Sequence, residues 1–145
     1  MQLELHLKII NLYLNLYLSN CLKAHLERFP NSVDGLSILE RNILQIIVKH
    51  SITSKHHLLG YALNYQGYYG FGDLQLERII NQLSMFYSVT EGEIELNRKG
   101  HEALLGHHNF ALEIDNDMMY GGVKKIAFQF NKSKNKLVKS ISNVN

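Results

Sequence analysis

Apolar residues recur at helical spacing in three consecutive segments of this chain, and this periodicity constrains the fold more than any other feature. The clearest segment is 37–50, in which Ser37 and Glu40 have the spacing of a capping box. The apolar face of this predicted helix consists of Leu39, Ile43, Ile46 and Ile47. A chain with this organisation is expected to fold around packed helices.

The next two segments are also predicted to be helices. Thr53 or Ser54 can cap the first of them, which should end near residues 65–67. Asp73 can cap the second, and its apolar positions are Leu76, Ile79, Ile80 and Leu83. Glycines alternate with aromatic residues in the intervening loop, which indicates a turn whose aromatic side chains pack on the core.

Two short β-prone runs, 86–89 and 93–96, are separated by a glycine turn and predict a hairpin. Asn97 can then cap a helix over Arg98–Leu105, which a glycine closes. Three helices, a hairpin and a further helix follow the order of a winged helix. We therefore predict a mainly α domain with a small β-hairpin, an α+β fold that is winged-helix-like and has an extra N-terminal helix.

The N-terminal segment, 2–29, is compatible with two interpretations. Leucines and isoleucines alternate with other residues as in a strand, but one helical stripe also holds Leu7, Ile10, Leu14, Tyr17 and Cys21. We predict a helix over 12–28 and leave helix and strand open for 3–10. The segment carries more apolar side chains than one stripe can bury, so we expect it to pack on its own core or to contact a partner, such as a second copy.

The C-terminal part of the chain gives weaker signals. Phe110–Ile114 and Lys125–Phe130 are candidate strands on either side of a Gly-Gly pair. We assign residues 1–130 to one domain and residues 131–145 to a flexible basic tail.

The formal net charge of +2 is unevenly distributed. Residues 73–95 contain one basic and five acidic residues, whereas residues 124–145 contain six lysines and no acid. The basic character therefore belongs to the C-terminal end. Because basic side chains supply most of the affinity for phosphates, the acidic region around the third helix disfavours nucleic acid there.

The third predicted helix occupies the position from which a winged helix reads DNA. Its outward side chains are of the types that contact base edges, namely Gln75, Arg78, Asn81 and Gln82. Lys124 and Lys125 are candidate contacts for phosphates or acidic groups. We predict these six residues as binding residues, for a protein partner in the first place. The alternative is a DNA-binding transcriptional regulator that reads through helix 73–84.

Features of several enzyme and membrane classes are missing from the sequence. The single cysteine excludes an intramolecular disulfide and favours the cytoplasm. The sequence contains neither a nucleophile elbow nor a phosphate-binding loop, and the eight histidines lack zinc-site spacing. We predict a non-catalytic binding or regulatory protein with no cofactor, metal, small-molecule substrate or membrane association. A metal-dependent enzyme is a distant third hypothesis.

Three groups of residues occur in a recognisable order, namely 22–30 with Gly35, Leu36 and Glu40, then 69–73, then 96–100 with 104–106 and 120–123. Together they resemble an uncharacterised bacterial family catalogued as domain of unknown function 1835, over residues 20–126. Members usually carry a preceding domain, and a tryptophan is common where this chain has Met119. The resemblance implies a bacterial protein of similar architecture, and the family has no established reaction to transfer.

Overall fold

The structure, a computed structural model, describes residues 1–140. Within this range the chain forms five α-helices and three short antiparallel strand pairs, which confirms the predicted α+β class. The helices are α1 (Gln2–Leu26), α2 (Ile38–Lys49), α3 (Lys55–Tyr65), α4 (Asp73–Gln82) and α5 (Arg98–Leu105). The strands are β1 (Tyr87–Thr90), β2 (Glu93–Leu96), β3 (Met119–Tyr120), β4 (Val123–Lys124), β5 (Phe128–Asn131) and β6 (Lys136–Lys139).

Helices α2, α3 and α4 surround the main core, as their sequence periodicity predicts. The capping box at the start of α2 is present: the Glu40 amide donates to Ser37 Oγ at 3.4 Å, and the Ser37 amide donates to Glu40 Oε2 at 2.7 Å. Ile43 and Leu44 are fully buried in this core. The local cap and the apolar face therefore agree on where α2 begins and which side it buries.

The starts of α3 and α4 are set by side chains that cap backbone amides. Ser54, one of the two predicted caps of α3, accepts the His57 amide at 3.1 Å. For α4 the predicted cap, Asp73, is wrong by one residue, because the N-cap is Gly72. The Gln75 side chain turns back and accepts the Gly72 amide at 3.0 Å, which makes Asp73 the first helical residue.

The hairpin of β1 and β2 and the helix α5 lie where the sequence predicts them. Asn97 caps α5 by accepting the Gly100 amide at 3.1 Å, and Gly106 ends it with a φ of 71°. An isolated antiparallel bridge joins Ile52 to Ile94 of β2, so the hairpin is tied to the connection between α2 and α3. The order of these elements is the one predicted for a winged helix. The structure confirms the α+β class, and the winged-helix arrangement stays a prediction.

The N-terminal segment is one continuous helix, α1, which answers the question left open for residues 3–10. The predicted helix over 12–28 extends further toward the N-terminus and ends at Leu26. A strand needs a neighbouring strand for its backbone hydrogen bonds, whereas a helix satisfies them within itself. With no glycine or proline in the segment, the helix prevails despite the alternating leucines.

Phe110–Ile114 is a turn, with Phe110, Ala111 and Ile114 buried, and not a strand, so that prediction is wrong. The Phe110 amide donates to the Asp34 carbonyl at 2.9 Å, and the Ile114 amide donates to the Phe110 carbonyl at 3.2 Å. Phe110 also packs edge-on against Phe86, with ring centroids 5.1 Å apart. The backbone amides of this segment thus form hydrogen bonds within the turn and to Asp34, and its Phe110 side chain packs in the core, so the segment does not pair as a strand.

The candidate strand Lys125–Phe130 corresponds to a 3-10 turn over Lys125–Ala127 followed by β5. Strand β5 pairs with β6, so the predicted domain boundary at residue 130 falls inside a hairpin. Residues 131–140 of the predicted flexible tail therefore include an ordered strand, and residues 141–145 lie outside the described residues. A separate small hairpin, β3 and β4, turns at the Gly-Gly pair.

A buried ion pair joins α2 to the C-terminal part of the chain. The Lys125 ammonium contacts Glu40 Oε1, and each side chain is 2% exposed. Asn116 also donates to Glu40 Oε1, at 3.4 Å, while Ser37 occupies the other carboxylate oxygen. Removing one member of such a pair leaves an uncompensated charge in the interior.

We predict that Lys125→Met lowers the free energy of unfolding by about 3–5 kcal/mol, because the Glu40 carboxylate loses its counter-charge. Urea unfolding followed by circular dichroism measures this change. The exposed neighbour offers a matched control, and Lys124→Met should change stability by about 0.5 kcal/mol or less. Adding Glu40→Gln to Lys125→Met should restore part of the loss. Equal effects of the two lysine substitutions would contradict the structural role of this pair.

Candidate protein-binding surface

Helix α1 extends away from the rest of the chain with its apolar side chains exposed. Among its residues only Ala24 is buried, at 9% exposure, in the structure of residues 1–140. Twelve large apolar side chains of α1 are exposed: Leu3, Leu5, Leu7, Ile9, Ile10, Leu12, Tyr13, Leu14, Leu16, Tyr17, Leu18 and Leu22. At 1.5 Å per residue the helix is about 37 Å long, so this apolar surface is extended.

The apolar residues of α1 form two stripes. Stripe A consists of Leu3, Leu7, Ile10, Leu14, Tyr17 and Cys21. Stripe B consists of Leu5, Ile9, Leu12 and Leu16. At 3.6 residues per turn the centres of the stripes are about 150° apart, and the polar residues Glu4, Lys8, Asn11, Asn15 and Ser19 share one narrow face. One neighbouring helix can therefore cover one stripe but not both.

Contacts around Phe29 fix the base of α1 to the body of the domain. The buried Phe29 ring packs edge-on against His25 at 5.9 Å and Tyr120 at 5.5 Å between centroids. The Glu27 carbonyl accepts the Ile38 amide at 3.1 Å, which links the end of α1 to the start of α2. The direction in which α1 leaves the domain is thus set by packed and hydrogen-bonded groups.

Two tyrosines near this base have raised pKa values. Burial raises the pKa of Tyr120 to about 12, with a further contribution from the Glu40 carboxylate. Burial also raises the pKa of Tyr69 above its ordinary value, and its hydroxyl lies 3.5 Å from a Glu27 carboxylate oxygen. The Arg28 guanidinium lies over the Tyr69 ring, 5.7 Å from its centroid. These raised pKa values reflect how far the two hydroxyls are withdrawn from water at the base of α1.

Helix α4 holds four of the sequence-predicted binding residues, and three of them engage other side chains or the interior. A nitrogen of the Arg78 guanidinium is 2.6 Å from both carboxylate oxygens of Asp117. Asn81 Oδ1 accepts the Lys55 ammonium at 2.8 Å. Gln82 Oε1 is buried and has no hydrogen-bond donor among residues 1–140. Arg78 and Asn81 thus each have a side-chain partner within the chain, and Gln82 directs one polar atom toward the interior.

The groove beside α4 is acidic. Arg78, Asn81 and Gln82 line it, whereas the side chain of the fourth predicted residue, Gln75, caps the helix start. The carboxylates along the same groove belong to Glu77, Glu113, Asp115 and Asp117. Sequence reasoning did not foresee that residues 113–117 would face α4, although three acids in five positions were a visible signal. The groove thus has more carboxylates than cations, although Glu113 also contacts Lys99, and this acidic excess disfavours a polyanion.

The two lysines predicted to bind acidic groups lie in different environments. Lys124 is exposed on β4 and can meet a ligand. Lys125 is buried against Glu40, so its prediction as a surface contact is wrong. Lys125 is the first residue of the 3-10 turn that follows β4, and its side chain lies in the interior.

Two further features concern metal ions and membranes. In residues 1–140, no three side chains of the His, Cys, Asp and Glu types form a group that could hold a metal ion. None of the helices described combines the length and apolar character needed to cross a membrane, α1 included.

Comparisons with protein families, with curated proteins and with solved structures give no match to this chain. The resemblance to domain of unknown function 1835 therefore stays a prediction, and the site is interpreted from its own geometry.

We predict weak binding of the chain to heparin, with elution at low salt, because the α4 groove is acidic. Asp117→Asn should raise the eluting salt concentration, since it removes a carboxylate from the groove and releases Arg78. Glu4→Gln is the matched control: it removes one negative charge on α1, far from α4, and should shift elution less. Strong retention of the unmodified protein that Arg78→Ala abolishes would instead favour the DNA-binding alternative.

Proposed function

We propose that this chain is a non-catalytic binding module that docks on another polypeptide through α1. The observation that carries the proposal is the exposure of twelve large apolar side chains on a single helix. Contiguous apolar surfaces beyond a few hundred Å² mark interaction sites in soluble proteins. A regulatory role in the cytoplasm is part of the proposal, and the exposed, free Cys21 fits a reducing compartment.

The area available supports a protein partner of ordinary interface size. Full burial of a leucine-sized side chain removes roughly 60–120 Å² from water, given about 25 cal/mol per Å² and about 1.5–3 kcal/mol per side chain. Twelve partly exposed side chains of this size therefore reach the scale of the roughly 800 Å² per partner found in stable protein complexes.

A nucleic acid partner is less favoured because it would need cations on the presented surface. The exposed charges of α1 are Glu4, Lys8 and Lys23, which nearly cancel, and the α4 groove is acidic. A lipid surface is disfavoured for a similar reason, since helices that lie on membranes usually carry many Lys and Arg residues on the polar face. The polar face of α1 holds one lysine and one glutamate.

A photoreactive phenylalanine analogue in place of Tyr13 tests the proposal in living cells. Tyr13 lies near the middle of α1 and is 64% exposed. We expect illumination to give a covalent adduct of discrete mass that contains a second polypeptide. The adduct is detected by gel shift and identified by mass spectrometry.

The matched control places the same analogue at Tyr68, which is 76% exposed on the loop before α4. This position should give no comparable adduct, because exposure alone does not create a partner. Equal labelling at both positions, or labelling of lipid without polypeptide at Tyr13, would refute docking through α1.

A further inference from the structure

We propose that the partner of α1 is the α1 of a second copy of this chain, packed antiparallel along stripe A. This inference rests on the function proposed above and specifies its partner. It follows from three features of α1: the spacing of stripe A, the burial of Ala24 and the apolar area of the stripe.

The spacing of stripe A reads the same in both directions. Its six positions are separated by four, three, four, three and four residues, which is the alternation of a coiled-coil seam. A twofold axis level with residue 12 brings each position opposite another: Leu3 faces Cys21, Leu7 faces Tyr17 and Ile10 faces Leu14. Each layer then contains one residue from each copy. The smallest side chain of the stripe, Cys21, and the largest, Tyr17, each lie opposite a leucine. Closed twofold dimers require this self-complementarity.

The burial of Ala24 decides the relative direction of the two helices. Residue 24 is the next position of the stripe A seam, and the body of its own chain already covers it. In a parallel pair in register, the two bodies would lie side by side at this end and compete for the same space. In the antiparallel pair, Leu3 and Cys21 form the last layer of the seam at each end, and Ala24 lies beyond that layer. The two bodies then lie at opposite ends of the pair.

The apolar area of stripe A is adequate for a pair. Six side chains at roughly 60–120 Å² each bury about 360–720 Å² per copy, and the flanking Tyr13 and Leu18 add to this. The total approaches the roughly 800 Å² per partner of a standard interface. Stripe B stays on the outside of the pair.

The only cysteine in the sequence makes the geometry measurable. In the antiparallel pair the two Cys21 residues are about 27 Å apart along the axis, far beyond the roughly 4.4–6.8 Å between Cα atoms that a disulfide spans. We expect the unmodified full chain to stay uncross-linked under mild copper–phenanthroline oxidation. Leu3→Cys should form a disulfide-linked dimer, because each introduced thiol then lies opposite Cys21 of the other copy. The dimer is visible on a non-reducing gel and is lost with a thiol reductant.

Two variants control this experiment. Leu12→Cys places a thiol of similar exposure on stripe B (70% for Leu12 against 77% for Leu3) and should form far less of the linked dimer. Leu3→Cys combined with Cys21→Ser should not cross-link, because the two residues at position 3 are far apart. Efficient cross-linking of that double variant, or of the unmodified chain through Cys21, would mean a parallel pair and overturn the proposal.

Sedimentation equilibrium gives an independent measurement that does not use cysteine. Leu14→Lys places a charge within stripe A and should weaken self-association at least about tenfold, whereas Asn15→Lys adds the same charge on the polar face and should change it less than about twofold. A monomer, a trimer or equal effects of the two substitutions would overturn the antiparallel pair. If the adduct at Tyr13 contains only a different protein, docking through α1 stands and the second copy is excluded.

Discussion

The Glu40 carboxylate connects the local and the long-range organisation of this fold. One of its oxygens completes the capping box of α2, and the other meets Lys125 and Asn116 from the C-terminal part of the chain. A single acidic side chain therefore fixes where α2 starts and holds residues 116–125 against it. The Glu40 side chain is buried, so its negative charge has to be compensated by the groups that contact it and not by water. The base of α1 depends on the same region, since Tyr120 packs on Phe29.

Features within a few residues of one another were predictable from the sequence, and features that depend on tertiary contacts were not. The caps at Ser37 and Asn97 follow from residue types at fixed local spacing. Lys125 is predicted to bind acidic groups as one of the C-terminal lysines, and its burial was not predictable because its partner Glu40 is 85 residues away in sequence. Phe110 is another example, because its amide donates to the carbonyl of Asp34, and sequence periodicity gives no information on contacts between residues so far apart in the chain.

On α4, the fold places acidic residues beside the side chains that the sequence suggests as DNA contacts, and this changes how those side chains are interpreted. Residues of the types that read base edges are present on α4, as the sequence shows. The fold brings residues 113–117 back across this helix, which engages Arg78 with Asp117 and adds negative charge to the groove. Solvent-exposed ion pairs are weak, so Arg78 is not locked energetically. The surrounding potential, rather than that single pair, determines which ligands can approach.

Helix α1 differs from α4 in that its sequence carries more apolar side chains than the rest of the domain buries. Its leucines satisfy both the alternation of a strand and the seam of a helix, and the helix forms because its backbone bonds need no neighbour. A helix in a protein draws most of its stability from burying an apolar face. Within residues 1–140 the body of the domain buries one residue of α1, Ala24, so its own packing does not stabilise the other apolar positions, and the partner proposed for α1 would supply that burial. The palindromic spacing of stripe A, which ends where the body begins, is the reason why we propose the same stripe of a second copy as the surface that covers it.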